Sequence, residues 1–409
     1  MRRRTLLLAL PAGALGLSAC DTDPGPEPAL DPATTLDPAP TLDPEPTLLG
    51  ERAELVDPTT LRLSLEMTVM IVVDPGWTTA PQELDGIFLG IDDSGDHLRF
   101  TALDQDGTAL WTAQRPHGHA DFALSRDEEG RAIAVLTDPP AGESEDDLPS
   151  ASASATATGY DLRTAETRWG PVPLPGPLLA PGLLVAADAL GPRGALSAST
   201  GAVLLREEDL AGGRLLAEHC GLVLHTDGDQ LVAISGEELT EHWRLPLPDG
   251  LDPSAARILG RIDSTTGLAV LGDGKQPGIL VDLAEGRSVA EGVTAAAYDH
   301  GLDVTVVAAG DAVRGLDQDG QERWRHQDPE ALVLLTAGER LAYAQRPQQG
   351  TLVVLDTSQG TMVNPYDADL SGPLAVPELF SADAATSVYV QEKRYLVTTT
   401  LDQAYGLRG

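Results

Sequence analysis

Apolar residues in this chain come in short alternating or β-branched runs, separated by Gly, Pro, Asp and Ser. LRLSLEMTVMIVV (61–73) is the first strong strand of this kind. GIFLGID, HLRFTALD and TALWTAQ then read as consecutive antiparallel strands, with Asp-Gly at 106–107 as the hairpin signal. No segment longer than about ten residues keeps a helical period, so the expected fold class is all-β.

One unit recurs. In LDQDGTALW, Leu103 to Trp111, an apolar residue leads into an Asp- or Ser-rich turn and a short strand follows, ending in several copies on Trp. The copies start at Leu103–Asp104, Tyr160–Asp161, Leu196–Ser197, Ile234–Ser235, Val281–Asp282, Leu316–Asp317, Leu355–Asp356 and Leu401–Asp402. Their spacings of 57, 36, 38, 47, 35, 39 and 46 residues suit the roughly 40–50 residues of a four-stranded propeller blade. The expectation is an eight-bladed β-propeller, with seven blades as the alternative. The long first spacing holds PPAGESEDDLPSASASATATG (139–159), acidic and then Ser/Ala-rich, which is expected to be a flexible surface loop inside the second blade.

Trp111, Trp169, Trp243 and Trp324 fall seven or eight residues after the Asp or Ser of their turn. Blades pack face to face and must fill the same wedge repeatedly, so these four are expected as structural filler rather than as a ligand platform. Aliphatic residues near Leu205, Val289 or Val363 are expected to take that place in the remaining blades. Gly107, Gly320 and Gly360 are expected at positive φ.

The first residues break with this pattern. MRRRTLLLALPAGALGLSAC has three arginines, an apolar run from Leu6 to Leu17, and small residues before Cys20. The run is too short to span a bilayer comfortably and follows the grammar of an export signal. Leu17-Ser18-Ala19-Cys20 resembles the lipobox of bacterial lipoproteins, which implies removal of 1–19 and acylation of Cys20. The arginines leave a general secretory and a twin-arginine route both open. Residues 21–47 carry Leu-Asp-Pro three times, and their prolines and repelling acids predict a disordered stalk within a 20–54 linker. Extended, the 27 residues reach roughly 80 Å. The propeller domain is assigned to 55–409.

Charge narrows the partners. The formal net charge is −36, and loss of the signal leaves 24 basic against 63 acidic residues, or −39. Such a surface repels phosphate backbones, so no nucleic-acid partner is expected. Of the two cysteines, Cys20 is taken by the anchor, leaving Cys220 as a buried, inert thiol in a strand-like run.

Leu103-Asp104…Gly107…Trp111, Leu316-Asp317…Gly320…Trp324, Tyr160-Asp161…Thr164…Trp169 and Leu355-Asp356…Gly360 resemble the LDxxTGxxxW repeat of the pyrroloquinoline-quinone-like β-propellers. That superfamily includes quinoprotein alcohol dehydrogenases and the propeller lipoprotein of the outer-membrane assembly machinery. The resemblance covers roughly residues 60–409 and implies an eight-bladed ring closed by a strand from the other terminus, here 61–73 against 386–401. The dehydrogenases also hold a quinone against adjacent cysteines, with a metal bound by carboxylates and an amide. This chain has no adjacent cysteines, and Asn364 is its one asparagine, so no cofactor is expected.

Other chemistry is sparse. There is no G-x-S-x-G, H-E-x-x-H or Walker loop. His117-Gly118-His119 reads as an exposed turn, and Asp104/Asp106, Asp317/Asp319 and Asp92, Asp93, Asp96 as turn formers rather than calcium ligands. His219 and His225 receive no role. The expected function is a non-catalytic, lipid-anchored module outside the cytoplasmic membrane that binds or scaffolds an envelope protein, with the membrane itself a partner through the lipid. A channel enzyme or small-ligand sensor is the alternative, and a purely structural envelope protein the third reading.

Overall fold

Seven of the eight recurring turns close the same hairpin. In the computed structural model, third strands end at Asp104, Asp161, Leu196, Ser235, Asp282, Leu316, Asp356 and Leu401; the first seven lead through their turns into the fourth strand of an antiparallel sheet, and Leu401 ends the described residues. The structure describes residues 44–117, 121–138, 155–186 and 191–401. The signal segment, Cys20, the stalk to residue 43, residues 139–154, His119 and Asp402 lie outside them.

Local hydrogen bonds explain why Asp and Ser lead these turns. Asp104 Oδ1 accepts from the amides of Asp106 (3.0 Å) and Thr108 (2.9 Å), and Asp317 Oδ1 from those of Asp319 (3.0 Å) and Gln321 (2.7 Å). Ser197 Oγ does the same for Ser199 (3.1 Å) and Thr200 (2.9 Å). A short side chain that satisfies amides two to four residues on replaces the ladder partners the bend removes.

Eight sheets result, and the blade count is eight rather than seven. Blade 1 runs through Gln82–Leu84, Ile87–Asp92, His97–Asp104 and Thr108–Pro116. Blades 2 to 7 occupy 122–173, 178–206, 215–246, 257–293, 295–327 and 333–363. Blade 8 takes Val376–Phe380, Thr386–Val390 and Lys393–Leu401 from the chain's end and its fourth strand, Met70–Asp74, from near the start. Val72 pairs with Val397 and Val73 with Leu396, so the ring closes by joining distant parts of the chain.

The closing strand is shorter than the apolar run suggested. Residues 61–69 make one 3-10 turn, Leu65–Met67, and the isolated bridges Arg62–Leu374 and Ser64–Tyr366 instead of a continuous strand. Leu61, Leu63 and Met67 are buried in the core shared by blades 7 and 8, among Tyr343, Phe380 and Val388. Packing, rather than strand pairing, uses their alternation.

Two expected boundaries move. The linker assigned to 20–54 gives its last residues to the propeller: Thr47–Arg52 adds a fifth strand to blade 1 and Glu54–Val56 a fifth strand to blade 8. Proline ends at Pro46, and the residues after it regain backbone donors beside an open sheet edge. The loop assigned to 139–159 likewise overlaps Thr156–Asp161, the third strand of blade 2, because residues 157–160 are all buried, Ala157 and Tyr160 in two different core clusters. Where the chain joins the ring, the buried guanidinium of Arg115 pairs with Asp138 at 2.5 Å and donates to the Pro44 carbonyl.

Candidate functional site

The four tryptophans occupy one repeated position. Each sits on a fourth strand and its indole N–H donates to the carbonyl of the residue just after the turn Asp or Ser of the next blade. The bonds run from Trp111 to Leu162 (2.8 Å), Trp169 to Ala198 (2.7 Å), Trp243 to Leu283 (2.8 Å) and Trp324 to Thr357 (2.5 Å). The next blade's turn must come close to the ring, which is why Gly201 (φ 72°) and Gly360 (φ 70°) stand there. A Cβ at either would overlap the indole of Trp169 or Trp324, and the left-handed backbone is itself costly for other residues. Val289 rests against Gly320 of blade 6 in the same way, while Leu204, beside the expected Leu205, approaches Gly236 of blade 4. The seam between blades 8 and 1 uses Trp77, outside the repeat spacing, which is fully buried, crosses Gly90 and donates to the Thr101 carbonyl at 3.1 Å.

Inside the ring, the first strands of seven blades and, from blade 5, the loop after its first strand surround a cavity of about 380 Å³. One end is crossed by the loop between the first two strands of blade 5. Its Ser264 hydroxyl donates to Glu83 of blade 1 at 2.6 Å, and blades 5 and 1 face each other across an eight-membered ring. Asp263 holds the loop's bend through the Thr265 (3.2 Å) and Thr266 (2.7 Å) amides and lies 3.7 Å from His300 of blade 6.

The titratable groups near this end are tied between blades. Glu218 of blade 4 is buried and takes hydrogen bonds from Ser125 Oγ of blade 2 (2.6 Å), the Leu183 amide of blade 3 (3.0 Å) and the Gly221 amide (2.9 Å). Asp299 of blade 6 accepts from the Thr357 hydroxyl of blade 7, and Glu237 from Ser197 at 2.6 Å. Burial raises the pKa of Glu83 and Glu218 against the lowering effect of these donors, and it drives His219 down to about 4, leaving a neutral imidazole.

A raised carboxyl pKa means that the folded state binds its proton more readily than the unfolded chain. Glu218 therefore contributes its full stability below the ordinary carboxyl range and loses it as pH rises through the folded value. The variant Glu218→Gln keeps an acceptor but cannot ionise. Its stability relative to wild type is expected to improve steadily from about pH 4.5 upward, as read from urea unfolding at pH 5 and pH 8. A difference that stays constant or narrows the other way would contradict this burial.

The remaining sequence candidates are placed as follows. Cys220 is not in a strand but in the hairpin between the first two strands of blade 4, at φ 48° with Gly221 at 85°. It is half-buried, and burial beside Glu218 pushes the thiol up to about 11. His117 Nε2 contacts the Gly95 carbonyl at 2.8 Å on the surface. Asp92 Oδ1 accepts from the Ser94 amide at 3.0 Å and from its hydroxyl at 2.6 Å. His225 is buried with Nδ1 3.2 Å from the Thr226 carbonyl. Among the described residues no group of three or more His, Cys, Asp or Glu is arranged to hold a metal ion, and no helix is long and apolar enough to cross a membrane.

Arg261, Ser264, Glu83 and Glu218 were not singled out by the sequence pattern. The one signal was RIDSTTG (261–267), which carries the turn chemistry of the repeat out of phase with it.

No protein-family model and no curated protein matches the sequence. Among solved structures, BamB from Moraxella catarrhalis is similar with a TM-score of 0.46 and 14% identity, over 80% of this chain and 95% of that one. The β-propeller domain of Cps50 (Swd1) from Myceliophteria thermophila matches with a TM-score of 0.40 and 11% identity, over 80% and 99%. The dihydro-heme d1 dehydrogenase NirN matches with a TM-score of 0.40 and 15% identity, over 80% and 78%.

Proposed function

We propose that this chain is a lipid-anchored, non-catalytic propeller of the cell envelope, and that its ring presents loops to a protein partner. The observation that carries the reading is how its reactive side chains are used. Glu83, Glu218, Asp299 and Glu237 accept hydrogen bonds from Ser or Thr hydroxyls of other blades, and the turn aspartates hold their own backbone amides. These bonds and the indole clips make a rigid frame, which suits recognition by surface loops. Assignment of the repeat to the pyrroloquinoline-quinone-like group is supported by the recurring pairing of a turn carbonyl with an indole from the preceding blade. The acidic surface favours a basic face on the partner.

Anchoring and partnership are tested together. Cys20→Ser is expected to move the protein from the membrane fraction to the soluble fraction, since a single polar residue replaces the acyl chains. Crosslinking of the wild-type protein in its native envelope is expected to capture a specific protein that is lost at high salt. Stoichiometric quinone or metal in the purified protein, or turnover of a substrate, would replace this reading with a channel enzyme.

A further inference from the structure

Every lining carboxylate described above has donors within the chain, but one charged group in the channel does not find its match. Arg261, on the loop that crosses the ring, makes a single hydrogen bond, from Nη1 to the Glu378 carbonyl at 3.5 Å. Among the described residues no carboxylate lies within ion-pair distance of it. The Glu378 side chain instead pairs with Arg394 at 3.2 Å, and Arg394 adds a second positive charge nearby. A guanidinium has five N–H donors in a fixed fork and stays charged, and Arg261 is exposed at the cavity wall with all but one of these donors open to a ligand.

The wall also carries the carboxyl groups of Glu83, Asp121, Glu218, Asp263 and Glu378, each held by a donor of the chain, and leucines make its apolar part. Leu124, Leu179, Leu335 and Leu379 line the same space, and Leu335 keeps 40% of its surface exposed although it belongs to an innermost strand. A volume of about 380 Å³ lies in the range of small-molecule pockets, which combine an apolar lining with few polar anchors. We propose that the channel binds a small organic acid, a carboxylate carried on an aliphatic or aromatic body, with Arg261 holding the charged end and the leucines the body. Its failure would leave the scaffold reading in place.

Titration calorimetry on the full chain tests this with octanoate and benzoate against their neutral counterparts 1-octanol and benzyl alcohol. At least one acid is expected to bind about tenfold or more tightly than its alcohol, the margin of a charge-assisted contact. Arg261→Gln is expected to remove that margin, and Arg261→Lys to retain part of it. Leu335→Trp, which fills the channel without touching the guanidinium, is expected to abolish binding of both acid and alcohol. Absence of binding by both acids, or full acid affinity in Arg261→Gln or in Leu335→Trp, would overturn the proposal. Circular dichroism melts of the variants identify any that fail to fold, and the other variant then decides.

Discussion

Trp111→Ala is expected to lower the unfolding free energy by about 3–5 kcal/mol, the cost of emptying a large buried aromatic site. The indole is fully buried, pairs by position with Leu48 of the added strand, and donates to Leu162 of the next blade. Three losses therefore coincide: apolar burial, a filled interblade wedge, and a hydrogen bond whose acceptor stays behind in the core. Trp111→Phe separates them, because it keeps most of the area and removes the N–H, and is expected to cost about 1–3 kcal/mol. Urea unfolding followed by far-ultraviolet circular dichroism checks both. If alanine costs less than about 1 kcal/mol, the indole is not part of the clip that joins blades 1 and 2.

Truncation from the start of the chain should show a sharp threshold. A chain beginning at residue 57 loses the fifth strands Thr47–Arg52 and Glu54–Val56, whose side chains are almost all exposed, and the Pro44 carbonyl that accepts from Arg115, and is expected to fold with a modestly lower melting temperature. A chain beginning at residue 76 also loses Met70–Asp74, with the fully buried Val72 and Val73, and the buried Leu61, Leu63 and Met67. Blade 8 then has three strands with a bare ladder edge, and the ring has no closure. Loss of cooperative thermal unfolding and of a single sharp elution peak is expected. A cooperative melt for the shorter chain would mean that the ring holds without its closing strand.

The repeat was readable because its signal is local. Asp104, Ser197 and Asp317 bind amides two to four residues away, so turn, strand and period are all set by adjacent residues. The same locality explains what was misread or missed. Asp263-Ser264-Thr265-Thr266-Gly267 forms the same kind of bend, with Gly267 at φ 69°, yet it joins the first and second strands of blade 5 and reaches into the channel. Hydrogen bonds within a turn specify its shape but carry no information about which hairpin of the blade it serves. Trp77 escaped for a related reason: its place depends on Gly90 and Thr101, across a seam that exists only once the ring has closed.

By itself the sequence determined an all-β chain, the approximate number of its blades and the positions of their outer turns, since alternation and turn chemistry act over a few residues. Only the tertiary structure decided that Met70–Asp74 completes the last blade, that Glu218 joins three blades, and that Arg261 faces a cavity without a carboxylate partner. Those contacts link residues far apart in the chain, and their energies come from burial and geometry that no short window of residues contains.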